Sequence, residues 1–203
     1  ITATSAVSGV VFENCQYLCG TENFMMAMYE DEEYVDALVD KLTELNIEYH
    51  LNYLKGVGDY CEWIEFTEDF ATQNGLFISP ELFRRFFKKG HTEMFSAIKK
   101  QHPNIKIWFH SCGSLHKLIP DLLDCGVDII NPMQPFAKDM DSAALKKEFG
   151  DRVCFHGGID IQYALPGTPE QLEEEVKKRI EAFAPGGGYI LSKKRQGFLS
   201  VPG

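Results

Sequence analysis

The stretch that decides the fold reads Ile105-Lys106-Ile107-Trp108-Phe109-His110-Ser111-Cys112-Gly113-Ser114-Leu115. Aliphatic and aromatic residues alternate with more polar ones along 105–110, and this β-rich run predicts a strand. A helical pattern follows almost at once, over 115–125. A strand that leads directly into a helix is the repeating unit of α/β proteins, which place their chemistry where the strand ends.

Two metal-binding residue types stand at the end of this strand. His110 and Cys112 are two positions apart, so in an extended segment their side chains share a face. Imidazole nitrogen and thiolate sulfur are ligands that zinc prefers. The spacing alone leaves a second interpretation open, in which Cys112 is a buried thiol beside a capping Ser111 and His110 is hydrogen-bonded in a loop.

The strand–helix order repeats along the chain. Further strands are predicted at 1–5, 61–67, 127–131, 153–156 and 189–191, and helices at 7–19, 21–29, 31–55, 79–101, 115–125, 141–149 and 168–183. The alternation from residue 61 onward predicts a parallel sheet with helical crossovers. Six strands fit either a TIM barrel that lacks two strands or an open doubly wound sheet. Against the open sheet, no glycine-rich nucleotide fingerprint follows any strand.

Composition excludes several classes of function. The 203 residues include 30 acidic and 20 basic ones, for a net charge of −10, and no basic block could cover the phosphates of a nucleic acid. No apolar run approaches the roughly 20 residues of a membrane span. Six scattered cysteines are typical of reduced thiols in a cytoplasmic protein. No shift in composition divides residues 1–203, which we interpret as one domain.

Chemically capable side chains follow several of the predicted strands. They are Glu68, Asp69, His110, Cys112, Asn131, Gln134, His156 and Asp160. In a barrel, the C-terminal ends of the strands converge on one mouth. Each residue also has a structural explanation by itself, as a cap, a turn residue or a hydrogen-bonded core histidine. Taken together they predict a site at His110 and Cys112, with Glu68, Asp69 and His156 as candidate catalytic residues.

Five ordered blocks of sequence carry a resemblance to a known family. They are Thr72-Gln73-Asn74-Gly75 with Ile78-Ser79-Pro80-Glu81-Leu82, Phe109-His110-Ser111-Cys112-Gly113 with Leu118-Ile119-Pro120-Asp121-Leu122, Gly126-Val127-Asp128-Ile129-Ile130-Asn131-Pro132, Phe149-Gly150-Asp151-Arg152 with Phe155-His156-Gly157-Gly158-Ile159-Asp160, and Ala184-Pro185-Gly186-Gly187-Gly188-Tyr189-Ile190. Together they resemble the uroporphyrinogen decarboxylase superfamily, from near residue 5 to about residue 191. The resemblance implies a TIM barrel from which the first two or so βα units and the closing helix are missing, so that the chain is a fragment.

The superfamily contains two chemistries, and His110-Ser111-Cys112 is similar to the zinc-dependent branch. That branch carries a methyl group from a corrinoid protein to a thiol or pterin acceptor. The resemblance therefore implies one zinc ion bound by His110 and Cys112, and methylcobalamin on a partner corrinoid protein. Glu68 or Asp69 would orient His110 or complete the coordination.

Two departures from the family keep other functions open. The zinc branch uses a further cysteine beyond the last strand, whereas no cysteine follows Cys154 here, and residues 192–203 do not resemble the family. One alternative is a metal-free uroporphyrinogen decarboxylase, a carboxy-lyase of porphyrin biosynthesis. The other is an inactive barrel fragment, which would be poorly soluble or molten because its strand edges and core are exposed.

The zinc hypothesis makes a geometric prediction. The ligand atoms of His110 and Cys112 should lie about 3–4 Å apart, as tetrahedral bonds of about 2.0–2.3 Å require. Glu68 or Asp69 should approach His110 from the neighbouring strand, and His156 should face the same cavity. The opposing interpretation predicts an apolar shell around Cys112 with His110 turned away.

Overall fold

The computed structural model describes residues 3–8 and 10–192. Eight strands occur in this part of the chain: β1 (Ala3–Ser8), β2 (Trp63–Thr67), β3 (Ala71–Thr72), β4 (Gly75–Leu76), β5 (Lys106–His110), β6 (Ile129–Asn131), β7 (Cys154–Gly158) and β8 (Tyr189–Ser192). The α-helices are α1 (Phe12–Cys19), α2 (Thr21–Glu30), α3 (Glu32–Val57), α4 (Pro80–Leu82), α5 (Lys88–Gln101), α6 (Ile119–Cys125), α7 (Ser142–Phe149) and α8 (Pro169–Phe183). A π-helical segment, Phe83–Phe87, joins α4 to α5.

Six of the strands form one parallel sheet in the order β1-β2-β5-β6-β7-β8, and β3 and β4 form a separate small hairpin. Each strand of this sheet therefore lies beside the strand of the same sheet that follows it in sequence, and helices connect successive strands. This is the arrangement of a TIM barrel. Within the described ranges β1 and β8 do not pair with each other, so the barrel is incomplete. The predicted fold class is confirmed.

The core lies between the sheet and its helices and is largely aromatic. Its fully buried rings are Phe12, Phe24, Phe66, Phe70, Phe83, Phe87, Phe95, Phe109, Phe155 and Phe183. Phe66 and Phe109 project from β2 and β5 toward Phe95 of α5, with ring centroids 4.9 and 6.4 Å from that of Phe95. Each ring buried in this way contributes about 1.5–3 kcal/mol of hydrophobic free energy.

Four of the eight described α-helices begin with a local side-chain cap, at Asp31, Ser79, Asp141 and Thr168. Ser79 accepts from the N–H of Leu82 ahead of Pro80, and Thr168 forms a capping box with Gln171. Asp31 caps α3, which continues through Gly56 and is longer than predicted.

The prediction of a helix over 7–19 is wrong at its start. Val7 and Ser8 extend β1 and pair with Phe66 and Thr67 of β2, and α1 begins only at Phe12. Its first N–H groups are bound by the carboxylate of Glu68, from a distant part of the sequence. A helix capped in this way carries no local start signal. The tail from 193 onward lies outside the described residues.

Candidate metal centre

Three potential metal ligands meet where β2 and β5 end. The Sγ of Cys112 lies 3.3 Å from His110 Nε2, and Asp69 Oδ1 lies 3.9 Å from the same nitrogen. All three ligand atoms are within 4.8 Å of one another, and all three residues are partly buried. The predicted approach of His110 to Cys112 is therefore present, and of the two acidic candidates it is Asp69 that joins them.

The tautomer of His110 is set by Asn131 at the end of β6. His110 Nδ1 lies 2.7 Å from Asn131 Oδ1, while the amide nitrogen of Asn131 donates to the carbonyl of His156 at 3.1 Å. Because Oδ1 can only accept, Nδ1 carries the hydrogen and donates it. The lone pair of a neutral His110 is then on Nε2, which faces Cys112 and Asp69. A metal-binding histidine is usually oriented by such a second hydrogen bond.

The loop that carries Cys112 is fixed at several points. The N–H of Cys112 donates to Asp69 Oδ1 at 2.7 Å, and the N–H of Gly113 donates to Gln134 Oε1 at 2.9 Å. Gly113 has a positive φ of 91°, and a Cβ there would lie 2.3 Å from the carbonyl oxygen of Thr72. Only glycine lets the β3–β4 hairpin approach this closely. The Cys112 backbone is therefore held in place before any ligand binds.

Glu68 does not take the position expected for it. Its side chain is fully buried and turns away from His110. One oxygen accepts from the N–H groups of Val11, Phe12 and Glu13, and the other lies 2.7 Å from His91 Nε2. The expectation that Glu68 could orient His110 is wrong, because neighbours in an extended segment point to opposite faces and Asp69 occupies the side of the mouth.

His156 lies on the same face of the sheet as His110, and its imidazole is bonded to Trp108. Its Nδ1 accepts from Trp108 Nε1 at 2.6 Å, and the Trp108 ring stacks on His110 with centroids 5.9 Å apart. Burial lowers the pKa of His156, against a smaller opposing effect of Glu65. His156 is thus connected to His110 through Trp108 and, by its backbone carbonyl, through Asn131.

The roles of several residues of the site were not identified from the sequence. Trp108 and Asn131 orient His110, while Glu13 accepts from the N–H of Asp69 at 2.9 Å and His91 supports Glu68. Burial raises the pKa of Glu13, the bond from Asp69 lowers it, and the Glu68 and Asp69 charges raise it again. No local pattern marks Glu13 or His91, because each acts on residues far away in the sequence. Asp160, among the strand-end residues, caps the turn at 162–164.

The donor set fits zinc. Tetrahedral bonds of about 2.0–2.3 Å separate ligand atoms by roughly 3.3–3.7 Å, close to the distances from His110 Nε2 to Cys112 and Asp69. One nitrogen, one sulfur and one carboxylate oxygen give three protein ligands, which leaves a fourth position for a substrate, as in catalytic zinc sites. The third potential ligand beside His110 and Cys112 is the carboxylate of Asp69.

Comparisons with known proteins agree with the architecture. The uroporphyrinogen decarboxylase family model matches residues 3–193. The uroporphyrinogen decarboxylase of Chlorobaculum tepidum is 25% identical over 167 residues, covering 81% of this chain and 44% of the relative. That of Salinibacter ruber is 26% identical over 158 residues, covering 78% of this chain and 41% of the relative. The chain thus spans less than half the length of these relatives.

Among solved structures, a methyltransferase from Methanosarcina mazei superposes with a TM-score of 0.73 at 21% identity, over 93% of this chain and 51% of the other. This likeness shows a shared fold. Within the described residues, no helix has both the length and the apolar character needed to cross a membrane. With the family match spanning nearly all of the sequence, the chain belongs to the uroporphyrinogen decarboxylase family.

Proposed function

We propose that this chain contributes the metal centre of a zinc-dependent methyltransferase, which moves a methyl group from methylcobalamin on a corrinoid protein to a thiol or pterin acceptor. The observation that carries the proposal is the cluster of His110 Nε2, Cys112 Sγ and Asp69 Oδ1 at the mouth of the barrel. Bound zinc would lower the pKa of an acceptor thiol and favour the thiolate at neutral pH.

The residues of the chain would prepare the site before the acceptor arrives. Asn131 holds the hydrogen of His110 on Nδ1, so Nε2 faces the metal position. Asp69 accepts from the N–H of Cys112 and would balance part of the charge of a bound metal. Trp108 packs against the imidazole ring and restricts its rotation. Such preorganisation limits the reorganisation needed when the acceptor binds.

A second candidate is decarboxylation of uroporphyrinogen, the activity in the names of the curated relatives. A substrate with many carboxylates needs arginine or lysine partners. Each arginine among the described residues is already paired with an acid of the chain: Arg84 with Asp121, Arg85 with Asp36, Arg152 with Asp124 and Arg179 with Glu175. These four arginines would have to leave those acids in order to bind the carboxylates of such a substrate.

Metal analysis of purified protein tests the proposal. We expect about one zinc per chain in the wild type, and loss of that zinc in His110→Ala and Cys112→Ala. Cys61→Ala is the matched control, because Cys61 is a half-buried thiol bonded to the Val57 carbonyl, away from the mouth. Stoichiometric zinc in both site variants would contradict the proposal. Decarboxylation of uroporphyrinogen by metal-free protein would favour the second candidate instead.

A further inference from the structure

The start of α1 and the segment after β2 are joined by a reciprocal pair of carboxylate bonds. Glu68 accepts from the N–H groups of Val11, Phe12 and Glu13, at 2.6 Å for Val11 and 3.3 Å for Glu13. In return, Glu13 Oε1 accepts from the N–H of Asp69 at 2.9 Å. We call Glu13, Glu68 and their bonds the α1 clamp. It links two segments that are more than 50 residues apart.

His91 anchors the buried side of the clamp. Its Nδ1 lies 2.9 Å from the carbonyl of Phe87 and its Nε2 lies 2.7 Å from Glu68 Oε2, with both side chains fully buried. Because a carbonyl only accepts, Nδ1 carries a hydrogen, and one proton lies between Nε2 and the carboxyl group. The rings of Phe70 and Phe83 lie 6.0 and 5.6 Å from the imidazole. Glu68 thus has little freedom to move.

The backbone that carries Asp69 is bound on both sides. The N–H of Glu68 donates to the carbonyl of His110 at 2.9 Å, and the N–H of Phe70 donates to Ser111 Oγ at 3.0 Å. The N–H of Asp69, between them, goes to Glu13. With Glu68 pinned inside the core, the side chain of the next residue must point to the opposite face, toward His110 and Cys112.

We infer that the α1 clamp positions Asp69 as the third ligand of the metal centre, so that Glu13 and Glu68 are positioning residues although neither belongs to the ligand cluster. The presence of a metal in this inference rests on the proposed function. The position of Asp69 rests on the hydrogen bonds alone. It also accounts for three carboxylates, Glu13, Glu68 and Asp69, lying close together: their mutual repulsion is unfavourable unless hydrogen bonds and a bound cation offset it.

Glu13 allows a test without loss of the fold, since it is only partly buried. Glu13→Ala removes the acceptor of the Asp69 N–H, whereas Glu13→Gln keeps an oxygen that can accept it. Asp121→Ala is the control for general destabilisation, because Asp121 is a buried carboxylate bonded to Arg84 and Lys88 on the outer helices. Two quantities are measured: amide hydrogen exchange at Asp69 and Cys112 in metal-free protein, and the dissociation constant for Co²⁺ as a spectroscopic substitute for zinc.

We expect Glu13→Ala to speed exchange at both amides about tenfold or more and to weaken Co²⁺ binding about 10- to 100-fold, as loss of an outer-shell contact does. Glu13→Gln should stay near wild type, and Asp121→Ala should lower the thermal midpoint without either change. Equal effects in Glu13→Ala and Asp121→Ala would overturn the inference. Wild-type protein that binds no metal but shows the expected exchange pattern would refute the proposed function while leaving the clamp intact.

Glu68 offers a second comparison. In Glu68→Gln the amide oxygen can still accept from α1 and the amide nitrogen can donate to His91 Nε2, so Co²⁺ affinity should be retained. Glu68→Ala removes both contacts and should weaken Co²⁺ binding at least as much as Glu13→Ala. Retained affinity in a folded Glu68→Ala variant would overturn the inference. If that variant does not fold, the two Glu13 variants decide the question.

Discussion

The two faces of the sheet are stabilised by different kinds of interaction. The face toward the helices carries Ile64 and Phe66 of β2 and Ile107 and Phe109 of β5, all fully buried. The opposite, concave face carries the alternate residues, and strand register sets them side by side: Glu65 beside Trp108, Thr67 beside His110, and His110 beside Asn131. One face is held by ring packing and the other by hydrogen bonds.

The contrast shows how one strand can serve both stability and chemistry. On β5, Phe109 lies within about 6.5 Å of the rings of Phe70, His91 and Phe95, whereas its neighbours Trp108 and His110 reach His156 and Asn131. A strand alternates its side chains, so the packed residues fix the backbone that presents the polar ones. We therefore expect changes on the helix face to affect folding most, and changes on the concave face to affect the site.

The largest effect is expected from Phe109→Ala. The fully buried ring leaves a cavity in a densely packed layer, and such truncations cost about 3–5 kcal/mol. Urea unfolding followed by circular dichroism measures the loss. A cost below about 1 kcal/mol would show that the helix face is loosely packed, and would remove the contrast between the faces.

A pH series gives an intermediate effect and compares one histidine from each face. Burial lowers the pKa of His50, on α3 against Phe66, and that of His156 on the concave face. The unfolded chain, with a histidine pKa of about 6.5, then binds protons more readily than the folded chain. The free energy of unfolding should have its full value well above that pH. It should decrease as the pH drops from 7.5 to 5.5, by at most about 1.4 kcal/mol per pH unit for each histidine.

His50→Leu should flatten this pH dependence, because it removes one of the two titrating groups. Urea midpoints at three pH values across the range provide the measurement. An unchanged slope in His50→Leu would mean that His50 is not held neutral inside the core and that other groups cause the pH dependence.

The smallest effect is expected from Trp108→Phe. Phenylalanine keeps an aromatic ring against His110 but loses the N–H that donates to His156, and one such hydrogen bond contributes about 1 kcal/mol. A thermal melt of this variant beside that of Phe109→Ala compares adjacent residues on opposite faces. A loss as large as that of Phe109→Ala would show that the concave face also supports folding.

Local sequence was sufficient for the strands β2 and β5 to β8, for most helices and for the His110–Cys112 pair, but it did not predict the β3–β4 hairpin or the end of β1. Alternation along 105–110 is a property of neighbouring residues, and two ligands on one strand end share a face whatever surrounds them. The same reasoning located Ser79 and Thr168 at helix starts, since their capping partners are three residues away. Their positions at strand ends also placed Asn131 and Asp69 near the mouth, but the sequence did not show that Asn131 orients His110.

Tertiary structure alone decided between the two adjacent carboxylates. From the sequence, Glu68 and Asp69 were equivalent candidates. Only the packing of α1 and α5 shows that Glu68 enters the core to meet His91 while Asp69 turns toward His110 and Cys112. It also decided that α1 begins at Phe12, where the distant Glu68 supplies its cap. A charge can be buried only where its partners converge, and those partners come together only through the fold.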